Sequence, residues 1–110
     1  MARKQLQTLT EPMYYVLLNL IKPIHGYGIM KNVDKMTNGN VKVGAGTLYS
    51  LLSRFEKEEI IKQTEVVEGK KIYIITLKGR AVLENEHNRL KRLVEDGDLL
   101  LGENINEKRD

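Results

Sequence analysis

Thr47, Ser50, Ser53 and Arg54 recur every three or four residues along one stretch of this 110-residue chain, the spacing of one helix face. Small hydroxyls on an exposed helix donate to or accept from base edges and phosphates. An arginine among them can pair bidentately with guanine or clamp a phosphate. Gly46 and Gly44, just ahead, leave backbone amides open at the helix start, which favours an anion. Tyr49 has two readings: a ring and hydroxyl braced on sugar and phosphate, or half-buried packing against a neighbouring element. Lys42 and Lys57 flank the helix, and Lys70 and Lys71 follow a Glu68-Gly69 turn. These cations supply sequence-independent attraction to a polyanion. A paired lysine at a hairpin tip also protects a strand edge, and hydroxyls on a helix exterior are also compatible with plain solvation.

Other reactive types are sparse. The two histidines, His25 and His87, lie far apart, and Glu84 with His87 could hold a metal only if doubled by a second chain. His25 precedes a helix start, where it caps or packs. There is no cysteine, so neither a disulfide nor a thiolate metal site can form. Gly26-Tyr27-Gly28 is too short for a nucleotide loop and follows no strand, and no nucleophile–base pattern is present. The chain therefore reads as a non-enzyme, with no catalytic residue, cofactor or metal.

The elements that must hold these residues follow from periodicity. Residues 1–9 read as a flexible polar arm. Thr10-Glu11-Pro12 opens a helix with Met13, Val16, Leu17 and Leu20 on one stripe, ended by Pro23. A second helix runs from His25-Gly26 through Ile29, Met30, Val33 and Met36 to Asn38-Gly39, a left-handed stop signal. Val41 and Val43 alternate with polar residues, as in a short strand or extended connector. The third helix hides Leu48, Leu51, Leu52 and Phe55 behind the hydroxyl face. Ile60 to Val67 and Lys71 to Thr76 read as two strands around Glu68-Gly69. Thr76 then caps a fourth helix to about residue 102, weakened at Gly97, with a polar tail over 103–110. The fold class expected is α+β, mainly α: a winged helix-turn-helix over 10–76 with a long C-terminal helix over 77–102. In it a helix about 10 Å wide enters the major groove while the hairpin reaches the flanking backbone.

Charge agrees with that division. Net charge is +3; residues 1–75 carry 11 Lys/Arg against 7 Asp/Glu, and residues 76–110 carry 7 against 8. The first part is the one suited to meet a polyanion. No apolar run reaches membrane-spanning length and the N-terminus lacks a secretory pattern, so the expected compartment is the cytoplasm, without membrane association.

On the fourth helix Leu83, His87, Leu90 and Val94 recur at four, three and four, and Leu93 widens the stripe. Left exposed, it is an apolar patch of a kind monomers avoid. It either pairs with the same helix of a second copy or folds back on the first helix, which has spare apolar positions such as Leu18. Two-fold pairing sets two reading helices about 34 Å apart, one turn of DNA.

The segments His25-Gly26-Tyr27-Gly28-Ile29, Gly46 through Lys57, Gly69-Lys70-Lys71-Ile72-Tyr73 and Thr76-Leu77-Lys78-Gly79 resemble the PadR-like transcriptional regulators, in order and spacing over roughly residues 10–95. The resemblance implies a homodimeric winged helix-turn-helix that binds double-stranded DNA at palindromic operators, usually as a repressor. It implies a recognition helix bearing Thr47, Tyr49, Ser50, Ser53 and Arg54, a wing bearing Lys70 and Lys71, and dimer contacts through the C-terminal helix. It also implies, for some members, release by a small, often aromatic, effector near the dimer interface. Ser50 stands where many relatives carry Pro. The chain has no Trp, the residue with which multidrug-binding relatives sandwich flat molecules. The short C-terminal part matches the compact subclass with one dimerisation helix. The competing expectation is a winged-helix adaptor that binds protein partners without DNA.

Overall fold

The computed structural model describes residues 8–108, with side chains described through Gly102. Seven elements follow in order: α1 (Glu11–Asn19), β1 (Ile24–His25), α2 (Gly26–Met36), α3 (Ala45–Lys57), β2 (Ile61–Val67), β3 (Lys70–Ile75) and α4 (Leu77–Lys108). The architecture is a winged helix-turn-helix, mainly helical, with a small antiparallel sheet and a long C-terminal helix.

Three of the four helices, α1, α2 and α4, start where a side chain satisfies an orphan amide. Thr10 Oγ1 accepts from the amide of Met13, with Pro12 in the first turn of α1. His25 Nδ1 accepts from the amide of Gly28 at 2.9 Å and so caps α2. Thr76 Oγ1 accepts from the amide of Gly79 at 3.0 Å, starting α4. The same hydroxyl donates to the carbonyls of Glu59 and Ile60, which ties α4 to the entrance of the hairpin. At the other end of α2, Asn38 and Gly39 both take positive φ and the Gly39 amide donates to the Asp34 carbonyl at 2.8 Å.

One apolar core joins α1, α2, α3 and the base of the sheet. Val16, Leu17, Leu20, Ile29, Val33, Leu48, Leu52, Phe55, Ile60 and Ile61 are all but inaccessible to solvent. The sheet order is β1-β3-β2, with Ile24 opposite Tyr73 and Val67 opposite Lys70. β1 escaped the sequence reading because two residues carry no periodicity, so Gly26-Tyr27-Gly28, expected to follow no strand, does follow one of two residues. Glu68 and Gly69, both at positive φ, close the hairpin by the two-residue turn that matches strand twist. Thr64 is an extra residue in the pairing between Gln63 and Glu65, and its hydroxyl donates to the Ile72 carbonyl.

Several expectations need correction. Of the two readings of Val41 and Val43 the connector holds and the short strand does not: both are buried between α2 and α3, anchored by Thr37, whose hydroxyl bonds the amide and carbonyl of Val41. Leu9, assigned to the polar arm, is part of the core, because it packs where α1 meets α4; residues 1–7 of that arm lie outside the described residues. α4 does not stop near residue 102 but continues without a break to Lys108, and 109–110 lie outside the described residues. Leu83, expected on the free stripe of α4, is buried at 4% exposure in the chain's own core, because the first turns of α4 pack on α1 and β3. The fold-back alternative therefore describes this first part of the helix.

Candidate nucleic-acid interface

The hydroxyl face of α3 is turned to solvent. Gly46, Thr47, Ser50, Ser53, Arg54 and Lys57 are all exposed, while Leu48, Leu52 and Phe55 on the opposite side fill the core. This division follows from the sequence: apolar residues at 48, 52 and 55 fix the helix rotation, and 47, 50, 53, 54 and 57 then face outward. Gly44 caps α3 with no side-chain bond, and a side chain built at Gly44 or Gly46 would meet open space.

Arg54 is anchored at its base. Its Nε donates to Glu58 Oε2 at 3.1 Å, one turn on, with about half of the arginine side chain exposed. Lys42 is exposed and held at 3.2 Å from Asp34. Both pairs are surface pairs of small energetic worth, so a phosphate or a guanine edge can displace or share them at little cost.

The wing stands on the same side as α3. Gly69, Lys70 and Lys71 at its tip share a cleft of about 370 Å³ with Tyr49 of α3, His25, Gly26 and Tyr27 at the start of α2, and Tyr73 of β3. Lys70 and Lys71 are exposed. Tyr49 is 51% exposed, and its ring lies against the start of α2. A Cβ at Gly26 would sit 2.6 Å from the Tyr49 hydroxyl, so only glycine leaves room for the ring there. The packing reading of Tyr49 holds, and the other side of its ring opens into the cleft. Tyr73 is buried, and burial raises its pKa, with the charge of Glu56 adding to the rise.

Sequence reasoning missed Tyr27. It is 56% exposed, lines the cleft, and has Lys31 Nζ 5.6 Å from its ring centroid. The signal was available, since Tyr27 and Lys31 are one turn apart on the exposed side of α2. It also missed Glu86, which is buried and accepts two bonds from Arg89, at 2.9 and 2.7 Å. The Arg89 guanidinium holds the Glu86 carboxyl below its ordinary value against the opposing effect of burial, and the Leu9 backbone adds to the lowering.

Of the residues expected on a dimer face, Leu83 is internal, Leu90 is half-buried, and His87, Leu93 and Val94 are exposed. Leu99, Leu100 and Leu101 extend the exposed apolar surface beyond them. Among the described residues, no cluster of three or more His, Cys, Asp or Glu could hold a metal, and no helix is long and apolar enough to cross a membrane.

A three-helix head with an outward polar helix and a lysine-tipped hairpin beside it defines a DNA-binding winged helix. The sequence profile of the Transcriptional regulator PadR-like family matches residues 16–85. The chain belongs to that family, and so to the DNA-binding transcriptional regulators. Among curated proteins it is 35% identical over 74 residues to Uncharacterized protein X of Lysinibacillus sphaericus, covering 62% of this chain and 68% of that one. It is 28% identical over 71 residues to Transcriptional regulator YqjI of Escherichia coli, covering 64% of this chain and 34% of that one. An uncharacterized 37.1 kDa transposon protein of Streptomyces fradiae is 30% identical over 71 residues, 64% of this chain and 20% of that one. The chain thus spans about a fifth of the Streptomyces protein and a third of the E. coli one. Among solved structures, a transcriptional regulator from Clostridium thermocellum superposes with TM-score 0.70 at 26% identity, covering 79% of this chain and 86% of that one. A PadR-like transcriptional regulator from Bacillus cereus gives 0.68 at 26%, covering 81% and 89%.

Proposed function

We propose that the protein is a transcriptional repressor that binds a palindromic operator as a homodimer. In this reading α3 enters the major groove and the wing holds the adjoining backbone. The observation that carries the reading is the common exposure, on one side of the head, of the α3 hydroxyl face with Arg54 and of the Lys70–Lys71 tip. Thr47, Ser50, Ser53 and Arg54 contact bases or phosphates; Lys42, Lys57, Lys70 and Lys71 neutralise backbone charge. Tyr49 braces the sugar–phosphate side, and Gly46 leaves the helix start open to a phosphate. Leu90, Leu93 and Val94, continued by Leu99 to Leu101, form the pairing surface, with His87 at its margin.

The test is fluorescence anisotropy with the DNA upstream of the protein's own coding region, at two salt concentrations. Binding should be tight at low salt and fall steeply as salt rises. Reversing Lys70 and Lys71 to Glu should abolish it. A salt-insensitive result would defeat the DNA reading and favour the protein-adaptor alternative. A transcription assay with operator and promoter overlapping separates repression from activation.

A further inference from the structure

The cleft between α2, α3 and the wing brings Tyr27, a side chain outside the reading above, beside Tyr49, Lys70 and Lys71. Its contributors come from three elements: Tyr27 from the start of α2, Tyr49 from α3, and Lys70 and Lys71 from the wing tip, with Tyr73 at its buried side. No carboxylate lines it. Two exposed tyrosines and two exposed lysines around one hollow suit a ligand that is apolar on one side and anionic on the other. A sugar–phosphate unit has that character: a deoxyribose ring for the aromatic surfaces and a phosphate for the ammonium groups. The volume, about 370 Å³, is at the small end of ligand clefts and of the order of one sugar–phosphate unit with its base.

We propose that this cleft seats one sugar–phosphate of the operator backbone, and that Tyr27 is a DNA-contacting residue. The proposal rests on the DNA-binding reading above. Tyr27 presents its hydroxyl and ring edge to the backbone, while Lys31, 5.6 Å from the ring centroid, adds positive charge at the same place. Tyr49 supplies the opposite wall. Gly26 acts as a positioning residue: because its hydrogen leaves the Tyr49 ring room, the ring lies back on α2 and the hollow stays open. A methyl group at that position would drive the tyrosine outward and fill the seat. The consequence is that the head grips backbone on the α2 side of the groove as well as at the wing.

The experiment is ethylation interference on an operator duplex with the full chain, together with anisotropy titrations over a range of salt. Wild type should show at least one phosphate per half-site whose ethylation blocks binding. In Tyr27→Ala that phosphate should lose its effect while the others keep theirs, and affinity should fall about 5- to 30-fold. Tyr27→Phe, which keeps the ring, should recover part of the loss. Lys70→Gln should reduce the salt slope by about 1, as for one phosphate contact. Gly26→Ala should weaken binding, and Gly26→Ala with Tyr49→Ala should bind better than Gly26→Ala alone, as removal of the displaced ring requires. Thermal unfolding of each variant separates folding loss from interface loss. An unchanged interference pattern and affinity in a folded Tyr27→Ala protein overturns the proposal while leaving the operator reading intact. Absence of salt-dependent DNA binding by wild type overturns that reading instead.

Discussion

Arg54 illustrates how much one side chain's environment decides. Its Nε is taken by Glu58, so the terminal nitrogens of the fork remain for a ligand and the side chain is already partly ordered. Arg54→Ala should weaken specific binding by about 1–3 kcal/mol if it reads a base, and should relax discrimination at one operator position. Competition titrations against single-base operator variants measure both effects. Glu86 carries the other residue-scale consequence. Its carboxyl titrates below the ordinary 4.5 because the charged form is held by Arg89. A lowered folded-state pKa means stability that is fully present above the ordinary carboxylate range and is lost as pH falls through the lowered value. Glu86→Gln should therefore lower the melting temperature at neutral pH and flatten its decline below about pH 4.5, checked by unfolding over pH 3–7.

At the level of elements, the sequence was legible wherever a period or a cap was strong. The Thr10, His25 and Thr76 starts, the Asn38-Gly39 stop and the Glu68-Gly69 turn rest on local chemistry that short segments carry by themselves. What could not be read was tertiary: Leu83 looks like the rest of its stripe until the first turns of α4 meet α1, and Leu9 looks like arm until it finds the core. The α3 face was legible because its apolar and hydroxyl residues separate cleanly, whereas the one-turn spacing of Tyr27 and Lys31 gains its meaning from the closeness of α2 to the wing. One glycine shows the same dependence. A Cβ on Gly79 would lie 2.1 Å from the Ile60 carbonyl oxygen, so this turn of α4 sits directly on the hairpin's entrance. Gly79→Ala should cost about 2–3 kcal/mol in chemical denaturation, with backbone and not a pliable side chain as the obstacle.

The whole molecule is a small head with a helix of 32 residues, which at 1.5 Å per residue is about 48 Å long. Along its distal half Leu93, Val94, Leu99, Leu100 and Leu101 are each more than half exposed. In the homodimer proposed above these residues are covered. Leu93→Glu with Val94→Glu should then give a folded monomer by sedimentation, with operator affinity reduced at least 100-fold because two half-sites no longer bind as one. Inserting five base pairs at the operator centre should be as damaging to the wild-type dimer, since it turns one half-site to the opposite side of the duplex.

In the homodimer proposed above, that long helix would act as a lever. Its first turns are held to the head by the Thr76 hydroxyl on the Glu59 and Ile60 carbonyls, by Gly79 against Ile60 and by buried Leu83, while Leu93, Val94 and Leu99 to Leu101 farther along are exposed. A change in tilt of about 5° at the clamp carries a rigid rod of this length about 4 Å sideways at its tip. Run in reverse, a slide of a few ångströms between two helices paired in that dimer would re-aim both heads by several degrees, enough to spoil a fit to successive turns of a duplex. The mechanical gain of such a dimer would be set where α4 joins the head, far from the leucines that would hold two copies together.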